Sequence, residues 1–279
     1  MKAEDAEILG RICYEAFAAI ANAHNFPPDL PNAEIATGLM NMMIASPGSF
    51  GVVAEADGNI IGSNFIGDAD AIFGVGPITI APTAQNSGAG TALMRAVLDH
   101  AREKRAAGVR LVQAGYYTRS LSLYSKLGFE VREHLSCLQG SPIRERFEGY
   151  AVRPATPSDA EVANALCRRV HGHDRAHEVA MAFANGAPAM VMERQGRITG
   201  YTTNLAFFGH TVGETTDDVK ALIAAAEAFG GPGFLLPSRN GELLRWCLAR
   251  GLRVTQPMTL MSIGLYNEPA GAWLPSVLY

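Results

Sequence analysis

The chain has 279 residues, a length that suits two small α/β domains better than one. Its hydrophobic share of 48% and charged share of 18% are typical of a well-packed globular protein and exclude an intrinsically disordered one. The formal net charge of −4, without any Lys/Arg-rich run, argues against nucleic acid as the main partner.

Cysteine usage and the N-terminal segment indicate the compartment. Cys13, Cys137, Cys167 and Cys247 lie far apart with no Cys-x-x-Cys pair, so we expect neither a zinc site nor a disulfide framework. The N-terminus lacks the apolar segment of a signal peptide, and no apolar run reaches transmembrane length. We therefore expect a cytoplasmic protein without metal or membrane contact.

The first half of the chain predicts alternating helices and strands. Apolar periodicity predicts helices at 5–21, 33–44, 90–106 and 120–127. Alternating apolar residues predict strands at 50–56, 60–66, 73–80, 110–114 and 129–138. The dipeptide Asp57-Gly58 between the first two strands predicts a hairpin turn.

A glycine-spaced loop at 85–90 (Gln-Asn-Ser-Gly-Ala-Gly) joins the strand at 73–80 to the helix at 90–106. This order places free backbone N–H groups and a positive helix end at one point, which favours phosphate oxygens. The loop is not a dinucleotide-binding motif, because Ala92 and Leu93 follow where a third glycine is due. It is not a Walker loop either, because it lacks Gly-Lys-Ser/Thr.

A second motif lies downstream at 123–129 (Leu-Tyr-Ser-Lys-Leu-Gly-Phe), a short helix that ends at a glycine before a strand. Gln-x-x-Gly-x-Gly followed by Leu-Tyr-x-Lys-Leu-Gly-Phe resembles the GCN5-related N-acetyltransferase (GNAT) family. The resemblance implies that the loop holds the pyrophosphate of acetyl-CoA and that the Leu-Tyr segment lies beside the thioester.

The resemblance also implies roles for individual residues. Tyr124 stands where the family places the acid that protonates the departing thiolate; the alternative is a packed aromatic whose hydroxyl meets the backbone. A backbone N–H on the strand at 78–80 is expected to meet the developing oxyanion. The expected acetyl-CoA contacts are Ile78, Thr79, Ile80, Gln85, Asn86, Ser87, Gly88, Ala89, Gly90, Thr91, Ser120 and Lys126.

The chain departs from the family pattern at several positions. Residues 73–81 contain no carboxylate, although many relatives carry a glutamate base on this strand. Tyr117 stands where an asparagine is frequent, Ser120 replaces the usual alanine, and Ser87 replaces a basic loop residue. The general base is therefore not identified. A water-mediated base or an acceptor that is already deprotonated would remove the need for it.

Candidate acceptor contacts come from three places. His24 and Asp29 flank a stiff Pro-Pro loop between the first two helices, which could equally be an ordinary connection. Gln113, Tyr116 and Tyr117 follow the strand nearest the thioester. In the second half of the chain, Arg239 could grip an acceptor carboxylate in bidentate fashion.

The chain repeats itself. Residues 5–8 (Asp-Ala-Glu-Ile) recur as 159–162, the Glu-x-x-Gly-x-Ile-x-Gly pattern at 55–62 recurs at 193–200, and Gly-Phe-Glu-Val at 128–131 matches 251–254. We therefore predict an α/β protein of two tandem GNAT-like domains, each a mixed, mostly antiparallel central sheet flanked by helices. The catalytic domain is expected at 1–140, a linker at 141–149 and a degenerate domain at 150–279.

The second copy lacks the phosphate loop. Glu214, Asp217 and Asp218 occupy its helix start, where they would repel a pyrophosphate; we interpret them as helix-capping residues on a solvated face. Cys247 takes the place of Tyr124. The second copy has a strand at 151–153 before its first helix, whereas the first copy has none. Either the start lies upstream or another segment, such as the apolar tail 273–279, fills that sheet edge.

These expectations lead to one function and two alternatives. The resemblance implies an acetyl-CoA-dependent N-acetyltransferase that acts on the primary amine of a small metabolite or amino-acid-like acceptor. The first alternative is acetylation of a protein N-terminus or lysine. The second is a non-catalytic CoA-binding sensor or interaction module, since no base is visible. The resemblance leaves formation of a homodimer open.

Overall fold

A computed structural model describes residues 1–185 and 188–278. The helices are α1 (Ala6–Ala23), α2 (Ala33–Ala45), α3 (Ala89–Glu103), α4 (Thr118–Lys126), α5 (Ala160–His171), α6 (Ala176–Ala184), α7 (Thr216–Ala225) and α8 (Gly241–Ala249). The strands of the first half are β1 (Ser49–Ala56), β2 (Asn59–Gly67), β3 (Ile72–Val75), β4 (Thr79–Ile80), β5 (Gly108–Ala114) and β6 (Glu130–Gln139). The second half adds β7 (Ala151–Pro154), β8 (Met190–Arg194), β9 (Arg197–Thr202), β10 (Thr211–Gly213), β11 (Phe234–Pro237), β12 (Arg253–Gly264) and β13 (Ala272–Leu274).

These strands form two sheets flanked by helices. The larger, 8-stranded sheet has the order β1-β2-β3-β5-β12-β6-β11, and β4 pairs with β2. The 5-stranded sheet has the order β13-β10-β9-β8-β7. The strand pairs are antiparallel except for β3 and β5, which are parallel. The predicted fold class, mixed α/β with mostly antiparallel sheets flanked by helices, is confirmed.

The elements predicted for the first half are present with small shifts at their ends, and one strand differs. Asp57 and Gly58 form the predicted hairpin turn, with φ of 51° and 74°. The strand predicted at 73–80 is two strands, β3 and β4. The ladder of β3 with β5 ends at Gly74↔Arg110, whereas β4 pairs with β2 through Ser63↔Thr79. The chain thus turns away from β5 and leaves a gap beside that strand.

The two halves of the chain exchange strands within the larger sheet. β12, from the second half, lies between β5 and β6, and β11 pairs with the outer side of β6. By the sequence repeat, β12 corresponds to β6 and β11 corresponds to β5. Each copy therefore pairs its last strand with the other copy. The predicted division at 140–150 stays a prediction, but the hydrogen-bonded sheet continues across it.

The C-terminal tail does not extend the first sheet, so that expectation is wrong. Residues 272–274 form β13, which pairs with β10 in the smaller sheet through Thr211↔Leu274. The reason is burial, because Trp273 and Leu274 are 5% and 2% exposed there. Within the described residues, no strand pairs with the free edge of β1. Tyr279, the last residue of the proposed tail, lies outside the described residues.

The hydrophobic core joins the two halves in the same way as the sheet does. Met261 of β12 packs in one cluster with Val97, Leu111 and Phe129 of the first half. The four cysteines are buried and unpaired. None of the helices in the described part of the chain has the length and apolar character of a membrane span. The same residues contain no cluster of three or more His, Cys, Asp or Glu able to hold a metal ion.

Candidate active site

The glycine loop ends at the first turn of α3. Gly88 is the N-cap residue, with a φ of 88°, and a Cβ built there would meet no atom within 4 Å. The first N–H groups of a helix lack partners within the helix, and the first turn of α3 contains no acidic residue. The N–H of Ala89 donates only a long 3.4 Å hydrogen bond to Ser87 Oγ. The loop therefore offers backbone donors and open space to an anion.

A cavity of about 250 Å³ lies over this loop and contains eleven of the twelve predicted cofactor contacts. They are Ile78, Thr79, Ile80, Gln85, Asn86, Ser87, Gly88, Ala89, Gly90, Thr91 and Ser120. Lys126 does not line this cavity: it is exposed at the last residue of α4, and its predicted cofactor contact stays a prediction. Six residues separate it from Ser120, which is about 9 Å along a helix.

Arg119 is a cationic residue of this cavity that the sequence analysis missed. Its guanidinium donates to Gln85 Oε1 at 3.0 Å and to Asn86 Oδ1 at 2.6 Å. The side chain therefore crosses from the start of α4 to the glycine loop. It supplies the positive charge that Ser87 does not. The available signal was its position immediately before Ser120, shortly upstream of the second motif.

A second cavity, of about 150 Å³, lies in the gap where β4 leaves β5. Four predicted acceptor contacts line it, namely Asp29, Gln113, Tyr116 and Tyr117. The two cavities share six lining residues: Phe17, Ile20, Ile78, Tyr117, Ser120 and Tyr124. They therefore adjoin each other at the side chain of Tyr124.

Tyr124 is 7% exposed and packs edge-on to Phe129, with ring centroids 6.0 Å apart. Burial raises the pKa of its phenol well above the ordinary value, and the nearby Tyr117 adds to the shift. The phenol is therefore neutral at neutral pH and retains its proton. The position combines both interpretations of Tyr124, since the ring packs in the core and the residue also lines both cavities.

Asp29 is held by a residue from the other half of the chain. Gln256 of β12, which is 1% exposed, donates from Nε2 to Asp29 Oδ1 at 2.7 Å. Tyr116 donates to Gln256 Oε1 at 3.4 Å. Burial raises the pKa of the Asp29 carboxyl, and the hydrogen bond from Gln256 partly offsets this. Gln256 was not predicted, because no local motif connects two residues that are 227 positions apart.

Gln113 adds a second polar group to this cavity. Its Oε1 accepts a 2.6 Å hydrogen bond from Ser120 Oγ, and the residue is 5% exposed. Among the described residues, its buried Nε2 has no hydrogen-bond partner. Ser120, found where the family usually has alanine, therefore orients Gln113.

Two predicted acceptor residues lie outside the cavity. His24 is exposed; its Nδ1 is 2.8 Å from the Ile20 carbonyl oxygen, and its ring lies beside Tyr116. Arg239 forms ion pairs with Glu133 and Glu268 beside a separate cavity, so its guanidinium is already occupied. Neither prediction is supported by the geometry.

The second half of the chain builds part of this second cavity, which is called the acceptor cavity below because predicted acceptor contacts line it. Its contribution is apolar and consists of Phe207, Phe208, Met258, Val277 and Leu278. Met258 pairs with Ala114 in the exchanged strand β12. The strand exchange therefore places a side chain of the second half in the wall of a cavity that is built mainly by the first half.

The corresponding loop of the second copy is closed to anions. Thr215 and Asp218 form a capping box at the start of α7, and Glu214 binds Arg197 and Arg169. The expected capping role is present. The expected solvated face is wrong for Asp218, which is 0% exposed and accepts hydrogen bonds from Thr199 and Thr215. Cys247 is buried in the core.

A comparison with protein families finds a match in the first half of the chain. The sequence profile described as Acetyltransferase (GNAT) family matches residues 15–129. The first half of the chain therefore contains a domain that belongs to the GNAT family of acetyltransferases.

Solved structures share the fold over both halves. A candidate acetyltransferase from Pyrococcus horikoshii gives a TM-score of 0.72 at 16% identity, over 98% of this chain and 92% of that one. A GCN5-related N-acetyltransferase from Sphaerobacter thermophilus gives 0.62 at 16% identity, over 96% and 95%. No match to a curated protein was found.

Proposed function

We propose that the protein transfers an acetyl group from acetyl-CoA to the primary amine of a small molecule. The observation that carries this proposal is the pair of adjoining cavities. One contains the glycine loop and the other is a small, partly open pocket, and Tyr124 lines both of them.

The residues of the glycine-loop cavity suit acetyl-CoA. The backbone N–H groups at the start of α3 and the guanidinium of Arg119 are donors for the pyrophosphate. Acetyl-CoA, when bound, supplies an acetyl thioester whose C–S bond breaks as the C–N bond to the amine forms. Ile78, which lines both cavities, begins the backbone segment expected to stabilise negative charge on the carbonyl oxygen.

Tyr124 is suited to supply the proton that the departing sulfur needs. Its phenol is protonated at neutral pH, as that of an ordinary tyrosine is, and burial raises its pKa further. General acid catalysis requires a protonated group within reach of the leaving atom, and the residue lines both cavities.

The size of the acceptor cavity favours a small acceptor. Its volume is about 150 Å³ and its wall includes aromatic side chains from both halves. Such an enclosure admits a small amine more easily than a folded protein surface.

The cofactor site is tested by thermal unfolding with and without acetyl-CoA, for the native protein and for Gly88→Glu. Acetyl-CoA at a hundred times its dissociation constant should add about 2.7 kcal/mol of stability. The matched control is Gly58→Glu, because Gly58 also has positive φ, 74°, and open space at its Cβ, but lies in a hairpin turn. We expect both variants to lose stability and only Gly88→Glu to lose the acetyl-CoA shift. A native protein without any shift would contradict the proposal.

Turnover is tested with Tyr124→Phe. Removing the hydroxyl should lower kcat by about a hundredfold or more, since general acid catalysis typically contributes that much. The acetyl-CoA shift should persist, because the ring is kept. An unchanged slow background rate in both proteins would favour the CoA-binding sensor instead.

A further inference from the structure

We infer that Asp29 binds the ammonium group of an acceptor that is an apolar amine without a carboxylate. The inference rests on the proposed function, because it names the acceptor class for the same cavity. It is carried by two observations on that cavity: a partly buried carboxylate without a counter-ion, and a lining in which the described residues include no cation.

The carboxylate of Asp29 has no positively charged neighbour. Among the described residues, the ion pairs do not include it, and its one hydrogen bond comes from the neutral amide of Gln256. The ionisable groups that sense its charge are Cys13, Tyr116 and Cys137, all with pKa values raised to about 11 or 12 and therefore neutral at neutral pH. A partly buried carboxylate without a counter-ion is costly, and an ammonium ligand would offset that cost.

The rest of the cavity does not favour a ligand that carries a negative charge in addition to its ammonium group. In the described part of the chain, its lining contains no Lys, Arg or His. An amino-acid acceptor would bring a carboxylate into a space that offers no cation to pair with it. The lining is instead rich in hydrocarbon, including Leu39, Leu111, Phe207 and Met258, which suits an apolar body.

The position of Asp29 also supplies the missing proton acceptor. The ammonium group gives one proton to the carboxylate, which leaves a neutral amine with a free electron pair and a neutral carboxylic acid. The second proton that the nitrogen loses when the amide forms balances the proton that Tyr124 gives to the sulfur. A carboxyl whose pKa is raised accepts a proton more readily than an ordinary one. Asp29 lines the same cavity as Tyr124, so the proton acceptor and the proton donor both line the acceptor cavity.

Binding to the protein saturated with CoA tests the inference, because CoA carries no acetyl group and permits no turnover. The probes are 2-phenylethylamine and 3-methylbutylamine, each paired with the amino acid of the same side chain, phenylalanine and leucine. We expect calorimetric binding of at least one amine and none of the amino acids.

The variant Asp29→Asn keeps the shape and can still accept from Gln256. It should weaken amine binding about 30-fold or more, equivalent to about 2 kcal/mol for a buried charge pair that loses one partner. The control is Glu34→Gln, which removes a charge from an exposed residue of the neighbouring helix α2. It should leave amine binding unchanged, and both variants should retain the CoA-induced rise in unfolding temperature.

The outcomes separate this inference from the proposed function. Failure of the native protein to bind acetyl-CoA would refute the proposed function, and the amines would then be measured on the CoA-free protein. Phenylalanine or leucine binding as tightly as its amine would overturn the acceptor class. Equal amine affinity of the native protein and Asp29→Asn, or no binding of either amine, would overturn the role of Asp29.

Discussion

Removing the second half of the chain should unfold the first half, although the match to the GNAT family lies wholly within the first half. A fragment of residues 1–140 loses β11 and β12, which flank β6 in the larger sheet. Four side chains of these strands, Leu235, Met258, Leu260 and Met261, are 0–3% exposed. Burial of each contributes about 1.5–3 kcal/mol, together about 6–12 kcal/mol. This equals most of the 5–15 kcal/mol that typically stabilises a whole protein.

The assay is circular dichroism and size-exclusion chromatography of the fragment beside the full chain. We expect the fragment to show no cooperative thermal transition, because β5 and β6 would both expose unpaired edges. Calorimetry of the full chain should give one transition, since the two copies share a sheet. A monomeric fragment that unfolds cooperatively and is stabilised by acetyl-CoA would refute this reasoning.

Three further changes test the site. Arg119→Gln should weaken acetyl-CoA binding and reduce its salt dependence, whereas Lys126→Gln on the same helix should change neither. Equal acetyl-CoA affinities of the two variants at low and high salt would contradict the role of Arg119. Phe207→Ala should lower the free energy of unfolding by about 3–5 kcal/mol and admit bulkier amines; a stability unchanged in urea titration would show that Phe207 is not packed as described. Asp29→Asn should raise the unfolding temperature at pH 7. The raised pKa means that the stability contributed by protonated Asp29 is complete below the unfolded-state pKa and lost as pH rises through the folded-state pKa. The rise in unfolding temperature caused by Asp29→Asn should therefore shrink as pH falls from the folded-state pKa to the unfolded-state pKa. A variant that is less stable than the native protein at pH 7 would contradict this prediction.

The features that the sequence predicts well are those fixed by neighbouring residues. The hairpin at Asp57 and Gly58, the glycine loop at 85–90 and the helices on either side depend on local backbone preferences and apolar periodicity. The same locality places eleven of the predicted cofactor contacts in one cavity.

The features that the sequence misses depend on contacts between distant residues. Gln256 reaches Asp29 only because β12 lies between β5 and β6, and nothing in the sequence around Gln256 signals a site. The repeat shows two copies of one fold but not which copy receives a given strand. Arg239 illustrates the opposite error, in which the sequence suggests a contact that the structure does not support. Its guanidinium forms ion pairs with Glu133 and Glu268, which the sequence around Arg239 does not indicate.

The strand exchange also explains how the second copy can contribute without a phosphate loop. The capping box at the start of α7 closes the position that corresponds to the glycine loop, so the second copy offers no equivalent site for the pyrophosphate of CoA. Its last strand instead carries Met258 into the acceptor cavity of the first copy and places Gln256 against Asp29. Changes in β12 or in the segment around Phe207 can therefore alter the acceptor cavity without touching the glycine loop. If the proposed function holds, the first copy binds the donor of the acetyl group, and the second copy helps to select the amine that receives it.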